Sequence, residues 1–144
     1  MRKIKHEKGQ TMVEFAIAAP ILFFILFAIM DIGWLVANKN ELVNQSAEVS
    51  RYVAITLNNE TSIPTTLYSD TQAYVEKHSL FCKNVKVTSI KITNSTVSVE
   101  LSDDMNYLTG LPGCFTGTNT VHLVSTSAMP LANTLNLSTP VDLT

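Results

Sequence analysis

The sequence has few charged residues and no excess of positive charge. Asp, Glu, Lys and Arg make up 15% of its 144 residues, and the formal net charge is −2. A protein that binds nucleic acid normally presents a basic face, so this balance argues against nucleic acid as a partner. The basic residues are also unevenly placed, because four of them (Arg2, Lys3, Lys5 and Lys8) crowd the N-terminus. The remainder is rich in Thr, Ser, Asn and Val.

Signatures of catalysis and of cofactor binding are also lacking. We find no Ser/His/Asp arrangement with a local signature and no glycine-rich phosphate loop. The adjacent pair Asp103–Asp104 lies in a predicted loop, where two neighbouring acids more often form a solvated turn than a cation site. The sequence therefore predicts a protein that is not an enzyme and that has no cofactor.

The sequence does contain one long apolar run. Phe15 to Met30 has no charge, amide side chain or hydroxyl, and the run continues to Ala37 with only Asp31 and Gly33 interrupting it. Its roughly 23 residues would span about 34 Å as a helix, enough for a hydrocarbon core of about 30 Å. The length favours a retained single-pass anchor over a secretory signal cut near Ala37. We expect Asp31 to be a solvated residue at the outer interface.

The charge on either side of the run predicts its orientation. Basic residues precede it, and only Lys39 follows closely. By the positive-inside rule the N-terminus stays in the cytoplasm and the C-terminal bulk is exported. Residues 1–9 then form a cytoplasmic basic segment, residues 10–37 the transmembrane half of a helix, residues 38–57 its amphipathic half, and residues 58–144 an exported head.

Export would place both cysteines in an oxidising compartment. An even, small number in an oxidising compartment predicts a disulfide between Cys82 and Cys114, closing a loop of about 33 residues and worth roughly 3–4 kcal/mol in the chain-entropy model. The alternative is a zinc site that adds His78 and His122. Its spacings do not follow a compact finger pattern, so the disulfide is favoured and no metal is predicted.

Helical periodicity continues beyond the apolar run. Apolar residues recur at three- and four-residue spacings, which predicts one helix from Gln10 to Thr56. The residues expected on its inward face are Leu42, Val43, Ala47, Val49, Val53 and Ala54. A kink or local melting is expected at Pro20, which lies inside this helix.

The exported part predicts a short helix and a small sheet. Ser69 to His78 is the candidate second helix. Alternation over residues 85–88, again over 90–93 and over 97–101, with Asn94–Ser95 between the second and third runs, predicts a β-hairpin. Thr120 to Met129 predicts a third strand, residues 103–120 a long loop, and residues 131–144 show no period. The fold class is therefore α+β: a long N-terminal helix packed on a small antiparallel sheet of three strands.

The N-terminal stretch also carries a motif. Gly9 follows the basic leader and Glu14 lies five residues later, at the start of the apolar helix. This resembles the processing signal of type IV pilins and pseudopilins. The finer pattern resembles the TadE-like family, minor pilins of the tight-adherence (Tad/Flp) system, over about residues 8–54. Its matching features are Gly9–Gln10, Val13–Glu14–Phe15, Ala16, Pro20, Asp31 to Gly33, Ala47 and Arg51–Tyr52.

The resemblance implies a function and a set of partners. A prepilin peptidase would cut between Gly9 and Gln10, and Gln10 in place of the Phe that usually begins major pilins favours the Tad branch. The protein would take part in pilus assembly for adherence, by priming, tip formation or incorporation. Its partners would be other pilins through the N-terminal helix, the peptidase, the inner-membrane assembly platform and the lipid bilayer. It would reside in the bacterial inner membrane with a periplasmic head, or in the extracellular pilus.

The resemblance also gives Glu14 a role. A carboxylate at the edge of an apolar helix is costly in lipid, but cutting at Gly9 would create a new ammonium on Gln10. The carboxylate of one subunit would then neutralise the ammonium of a neighbour, and Glu14, Phe15 and Pro20 would be assembly residues. Two alternatives remain: Glu14 as an anion favoured by the helix dipole, and the whole chain as an anchored periplasmic binding or adhesin domain that is not processed.

Overall fold

The computed structural model describes residues 4–60, 62–80, 82–132, 135, 137 and 139–144, with side chains from Gly9 onward. In the predicted leader, Arg2 and Lys3 lie outside the described residues. A long N-terminal helix is followed by a small antiparallel sheet, which confirms the predicted α+β class. The elements are α1 (Ile4–Asn59), α2 (Leu67–His78), β1 (Lys86–Ile92), β2 (Thr96–Asn106), α3 (Leu111–Thr116), β3 (Thr120–Pro130) and β4 (Val141–Leu143).

Helix α1 is by far the longest of these elements. Its 56 residues extend for about 84 Å at about 1.5 Å per residue. It begins six residues before the predicted start at Gln10 and continues through Pro20, so the local melting considered from the sequence does not occur there. The N-terminal half projects from the head, and the C-terminal half packs against it.

The sheet has one strand more than predicted. Its order is β3-β2-β1-β4, and every neighbouring pair is antiparallel. The β1–β2 hairpin is confirmed, with the Thr93 N–H donating to the Thr96 carbonyl at 2.8 Å across the turn. Strand β4 pairs with the last three residues of β1. It was missed because three residues are too short to show an alternating pattern.

The predicted loop over residues 103–120 is also more structured than expected. Strand β2 continues to Asn106, which places Asp103 and Asp104 in the sheet. The short helix α3 then lies between Gly110 and Gly117, whose φ angles are 73° and 75°. This left-handed conformation is available to glycine at little cost and to other residues rarely. The two glycines therefore set where α3 begins and ends.

The core lies between the C-terminal half of α1 and the sheet. Leu42, Val49, Val53 and Ala54 are buried as predicted, and the buried set of sheet residues includes Val87, Ile90, Ile92, Val97, Val99 and Leu101. The prediction was wrong for Val43 and Ala47, which are exposed.

Two serines take the inward positions instead. The Ser46 hydroxyl lies 3.0 Å from the Ser125 hydroxyl, and Ser50 donates to the Ser127 carbonyl at 3.0 Å. Both serines are buried. Because their side chains are short, α1 can approach β3 closely while each hydroxyl stays hydrogen-bonded. A pattern that counts serine as polar assigns this face to solvent.

Candidate functional site

The predicted processing residues lie on an open stretch of α1. Gly9 and Gln10 are both exposed, and no described atom lies within 4 Å of a Cβ built on Gly9. The Gln10 side-chain amide donates to Glu14 Oε1 at 3.4 Å. Residues four apart in a helix share one face, so the structure brings Gln10 and Glu14 together. Their roles in processing and assembly stay predictions.

The first half of α1 is apolar around its whole circumference. Within residues 9–59 the described chain has one helix long and apolar enough to cross a membrane, and only 6% of its most apolar window is buried in the molecule. The core helix of a soluble protein would be mostly buried. The exposed side chains include Met12, Val13, Phe15, Ile17, Ile21, Leu22, Phe23, Ile25, Ile29 and Met30. This surface supports single-pass membrane anchoring.

One row of these side chains continues into the second half of the helix. We call Phe15, Leu22, Ile29, Val36 and Val43 the outer row, because they recur every seven residues and are 45–71% exposed. A seven-residue spacing keeps side chains on nearly the same face of a helix over several turns. The row ends at Val43, because Ser50, seven residues further on, is buried and hydrogen-bonded to β3.

Gly33 lies beside the outer row, also on the open face. A glycine inside a helix costs about 0.5–1 kcal/mol relative to alanine. Nothing described within the chain requires that cost, because a Cβ built on Gly33 would meet no described atom within 4 Å apart from its own turn of the helix. Small residues at helix interfaces in membranes let two backbones approach closely. The open face thus has room for a closely packed backbone at Gly33.

Asp31 was expected to be solvated, and that expectation was wrong. Its side chain is only 3% exposed. The Thr109 N–H donates to Asp31 Oδ1 at 2.8 Å, and the Thr109 hydroxyl donates to the other carboxylate oxygen. A carboxylate that accepts two hydrogen bonds can be buried at tolerable cost. Asp31 thus fastens the segment before α3 to the long helix.

On the N-terminal side of Asp31, α3 packs along the apolar half of α1. The Phe115 ring meets the Phe24 ring edge to face, with centroids 5.8 Å apart and planes at 84°. An apolar cleft of about 270 Å³ lies between the two helices. It is lined by Phe24, Ala28, Asp31, Ile32, Leu35, Tyr107, Leu111, Pro112 and Phe115. Sequence reasoning missed this contact, although the absence of charge from Met105 to Val121 was a usable signal.

The structure leaves both cysteines as free thiols, so the predicted disulfide is not formed in it. Cys82 is buried against the middle of α1, where its Sγ lies 3.5 Å from the Asn38 carbonyl oxygen. Cys114 is exposed on α3, the helix that packs against Phe24. The two cysteines therefore lie beside different parts of α1, Cys82 near position 38 and Cys114 near position 24. These positions are about 21 Å apart along the helix, whereas a disulfide requires Cα atoms within about 7 Å.

The alternative zinc ligands are not gathered either. No group of three or more His, Cys, Asp or Glu residues able to hold a metal occurs in the described part of the chain. The His78 ring stacks on Tyr74 with centroids 4.2 Å apart. His122 lies on β3 with its Nδ1 2.7 Å from Asp104 Oδ1.

We predict that the two thiols differ strongly in reactivity. Burial, together with the nearby Asp103 and Glu41 carboxylates, raises the pKa of Cys82 to about 12, so it holds almost no thiolate at neutral pH. Cys114 is exposed. Under native conditions without reductant, a maleimide should modify one thiol per chain, at Cys114, and a second only after unfolding. In detergent, labelling of neither thiol until the unfolded chain is reduced would instead demonstrate the disulfide.

The comparison with protein families finds one match, to a model described as TadE-like protein, over residues 9–51. The N-terminal segment is TadE-like. The match begins at Gly9, the residue before the predicted cut, and includes Glu14, Asp31 and Gly33. It confirms the resemblance found in the sequence and supports a TadE-like protein of the Tad pilus system. It covers less than half of the chain and leaves the sheet unmatched.

Neither the comparison with curated proteins nor that with solved structures finds a match. Proteins of the TadE-like family are pilus components and are not known as enzymes. Beyond Arg51, no comparison bears on the chain, and only its own structure describes it.

Proposed function

We propose that the protein is a minor pilin that takes part in assembly of a Tad/Flp pilus for adherence. The observation that carries the proposal is the open face of α1 within the TadE-like segment. There the outer-row side chains are 45–71% exposed, and a Cβ built on Gly33 would enter open space. Such a face suits packing against the corresponding helices of other pilins.

Processing would precede assembly. In this proposal residues 1–9 are a cytoplasmic leader, and a prepilin peptidase cuts between Gly9 and Gln10. Residues 10–37 anchor the mature chain in the bacterial inner membrane, residues 38–57 continue the helix, and residues 58–144 form a periplasmic head. The excess of basic residues before the apolar run supports this orientation.

Glu14 would then select the register between subunits. Its carboxylate is exposed at the cytoplasmic end of the helix, where it accepts a hydrogen bond from the Gln10 amide and no described cation neutralises it. The cut would create an ammonium on Gln10 of each subunit. A neighbour's ammonium beside Glu14 would cancel both charges in a region of low dielectric. Phe15 and Pro20, both exposed on the same stretch, would contact the same neighbour.

Substitutions at Gly33 test the packing of this face. Gly33→Ala should stabilise α1 by about 0.5–1 kcal/mol, because the structure leaves room for a Cβ. Gly33→Leu should leave the folded head unchanged, since the side chain points away from it, but should separate α1 from a neighbouring helix. We expect the leucine variant to be strongly depleted from sheared pilus fractions, measured by immunoblot against the membrane pool, and the alanine variant to be depleted less. Equal incorporation of wild type and Gly33→Leu would show that this face is not an assembly surface.

A further inference from the structure

We infer that the segment Leu108–Gly117, here called the membrane loop, inserts into the outer leaflet beside α1 and gives the head a second contact with lipid. This inference depends on the membrane anchoring in the proposed function. The occupant of the surface is the lipid acyl chain, and the contact would fix the depth and orientation of the head on the membrane.

The position of the membrane loop along α1 carries the first step. Phe115 contacts Phe24, which lies seven residues before Asp31 and therefore about 10 Å closer to the cytoplasmic end of the helix. If the hydrocarbon core begins near Gln10, Phe24 lies about 21 Å into a core of about 30 Å. A tip that touches Phe24 must then lie below the outer boundary of the core.

The composition of the membrane loop suits that depth. Met105 to Val121 contains no Asp, Glu, Lys, Arg or His. Phe115 is 74% exposed and Leu108 is 54% exposed, an unfavourable arrangement in water and a favourable one in lipid. The cleft between α3 and α1 is lined mainly by apolar side chains on both walls. It opens beside the lipid-facing half of α1, so an acyl chain can fill it.

Several polar groups at the tip are bonded within the loop. Lipid offers no hydrogen bonds, so exposed backbone at this depth must be satisfied internally. The Gly113 N–H donates to the Gly110 carbonyl at 3.1 Å, and the Gly117 N–H donates to the Gly113 carbonyl at 3.0 Å. The Thr116 hydroxyl donates to the Pro112 carbonyl at 2.9 Å.

The base of the loop is closed in the same way. The Tyr107 N–H donates to the Asn119 carbonyl at 3.1 Å, and Thr109 donates both of its hydrogen bonds to Asp31. Asp31 is therefore the polar group at the interface, and the apolar tip lies beyond it. An ordinary surface loop has no need of both an uncharged tip and internal pairing of these groups.

Cys114 provides a native probe for the test, because Cys82 is buried. The full chain is labelled at Cys114 with an environment-sensitive fluorophore and placed in nanodiscs that hold one copy each. We expect blue-shifted emission, quenching by lipids that carry a nitroxide on the upper part of the acyl chain, and protection from aqueous iodide. Strong quenching by iodide with no quenching by nitroxide lipid would overturn the inference.

Two variants, each combined with Cys114→Ser, calibrate the measurement. Ser95→Cys labels the exposed turn at the far end of β2, about 35 Å from Asn106, and should be quenched by iodide alone. Ile21→Cys labels the proposed span and should be quenched by nitroxide lipid. If the Ile21→Cys label is quenched by nitroxide lipid and the Cys114 label is not, the loop inference fails while the membrane anchoring by α1 is upheld. If Ile21→Cys also fails, the anchoring is wrong and the loop inference falls with it. Protection of Cys114 that appears only with several copies per nanodisc would assign the surface to a neighbouring subunit and would also overturn the inference.

Discussion

Replacing Glu14 by alanine is expected to leave the protein in the membrane but to remove it from the pilus. Loss of the carboxylate makes the helix more apolar, so insertion should be unaffected or improved. In the assembly, the ammonium of a neighbouring subunit would lose its counter-charge. Breaking a buried pair costs about 3–5 kcal/mol, and at an interfacial site we expect the lower end, about 3 kcal/mol or roughly a hundredfold in incorporation. Immunoblots of membrane and sheared pilus fractions measure both pools.

Glu60→Ala is the matched control, because it removes an exposed carboxylate just beyond the end of α1. It should incorporate like the wild type. Glu14→Gln preserves size but not charge, and it should fail nearly as completely as alanine. Normal incorporation of Glu14→Ala would assign the residue to the helix dipole and remove its role in assembly.

The second large effect is expected at Asp31. Asp31→Ala leaves the Thr109 N–H and hydroxyl without the acceptor that they have in the structure. Hydrogen bonds to a charged group contribute about 1.5–3 kcal/mol each, and an unpaired buried donor adds its desolvation cost. We expect a loss of about 3 kcal/mol in the stability of the contact between α3 and α1. Hydrogen exchange of the Thr109 amide in detergent or nanodiscs should accelerate by roughly a hundredfold, since about 1.4 kcal/mol is tenfold.

Asp104→Ala serves as the comparison for Asp31. Asp104 is also an aspartate with a hydrogen-bonded partner, His122, but both side chains are mostly exposed. An exposed ion pair contributes about 0–1 kcal/mol, so exchange at Thr109 should hardly change. If Asp31→Ala and Asp104→Ala gave equally small effects, the Asp31–Thr109 contact would not hold α3 in place.

Periodicity predicted the elements that are long. The apolar run and the three- and four-residue spacing after it were enough to place α1, and alternation placed β1, β2 and β3. The motif around Gly9 and Glu14 led to the TadE-like family, and the family match over residues 9–51 confirmed it. These features are local in the sequence, which is why the sequence alone contains them.

The remaining features depend on contacts between distant residues. Asp31 looks like a boundary residue until Thr109, 78 positions away, is placed beside it. Ser46 and Ser50 look solvated until β3 offers the Ser125 hydroxyl to the first and the Ser127 carbonyl to the second. Strand β4 exists only because the exposed edge of β1 accepts it. In each case the deciding energy comes from pairing that no local pattern encodes.

The central claim is that the chain is processed and assembled as a pilin, and the most direct test is the intact mass of the protein extracted from membranes. In cells that contain the prepilin peptidase, the mass should correspond to a chain that begins at Gln10 and lacks residues 1–9. In cells without the peptidase it should include them. A protein that keeps residues 1–9 in the presence of the peptidase would contradict the account and favour an anchored binding domain that is not processed.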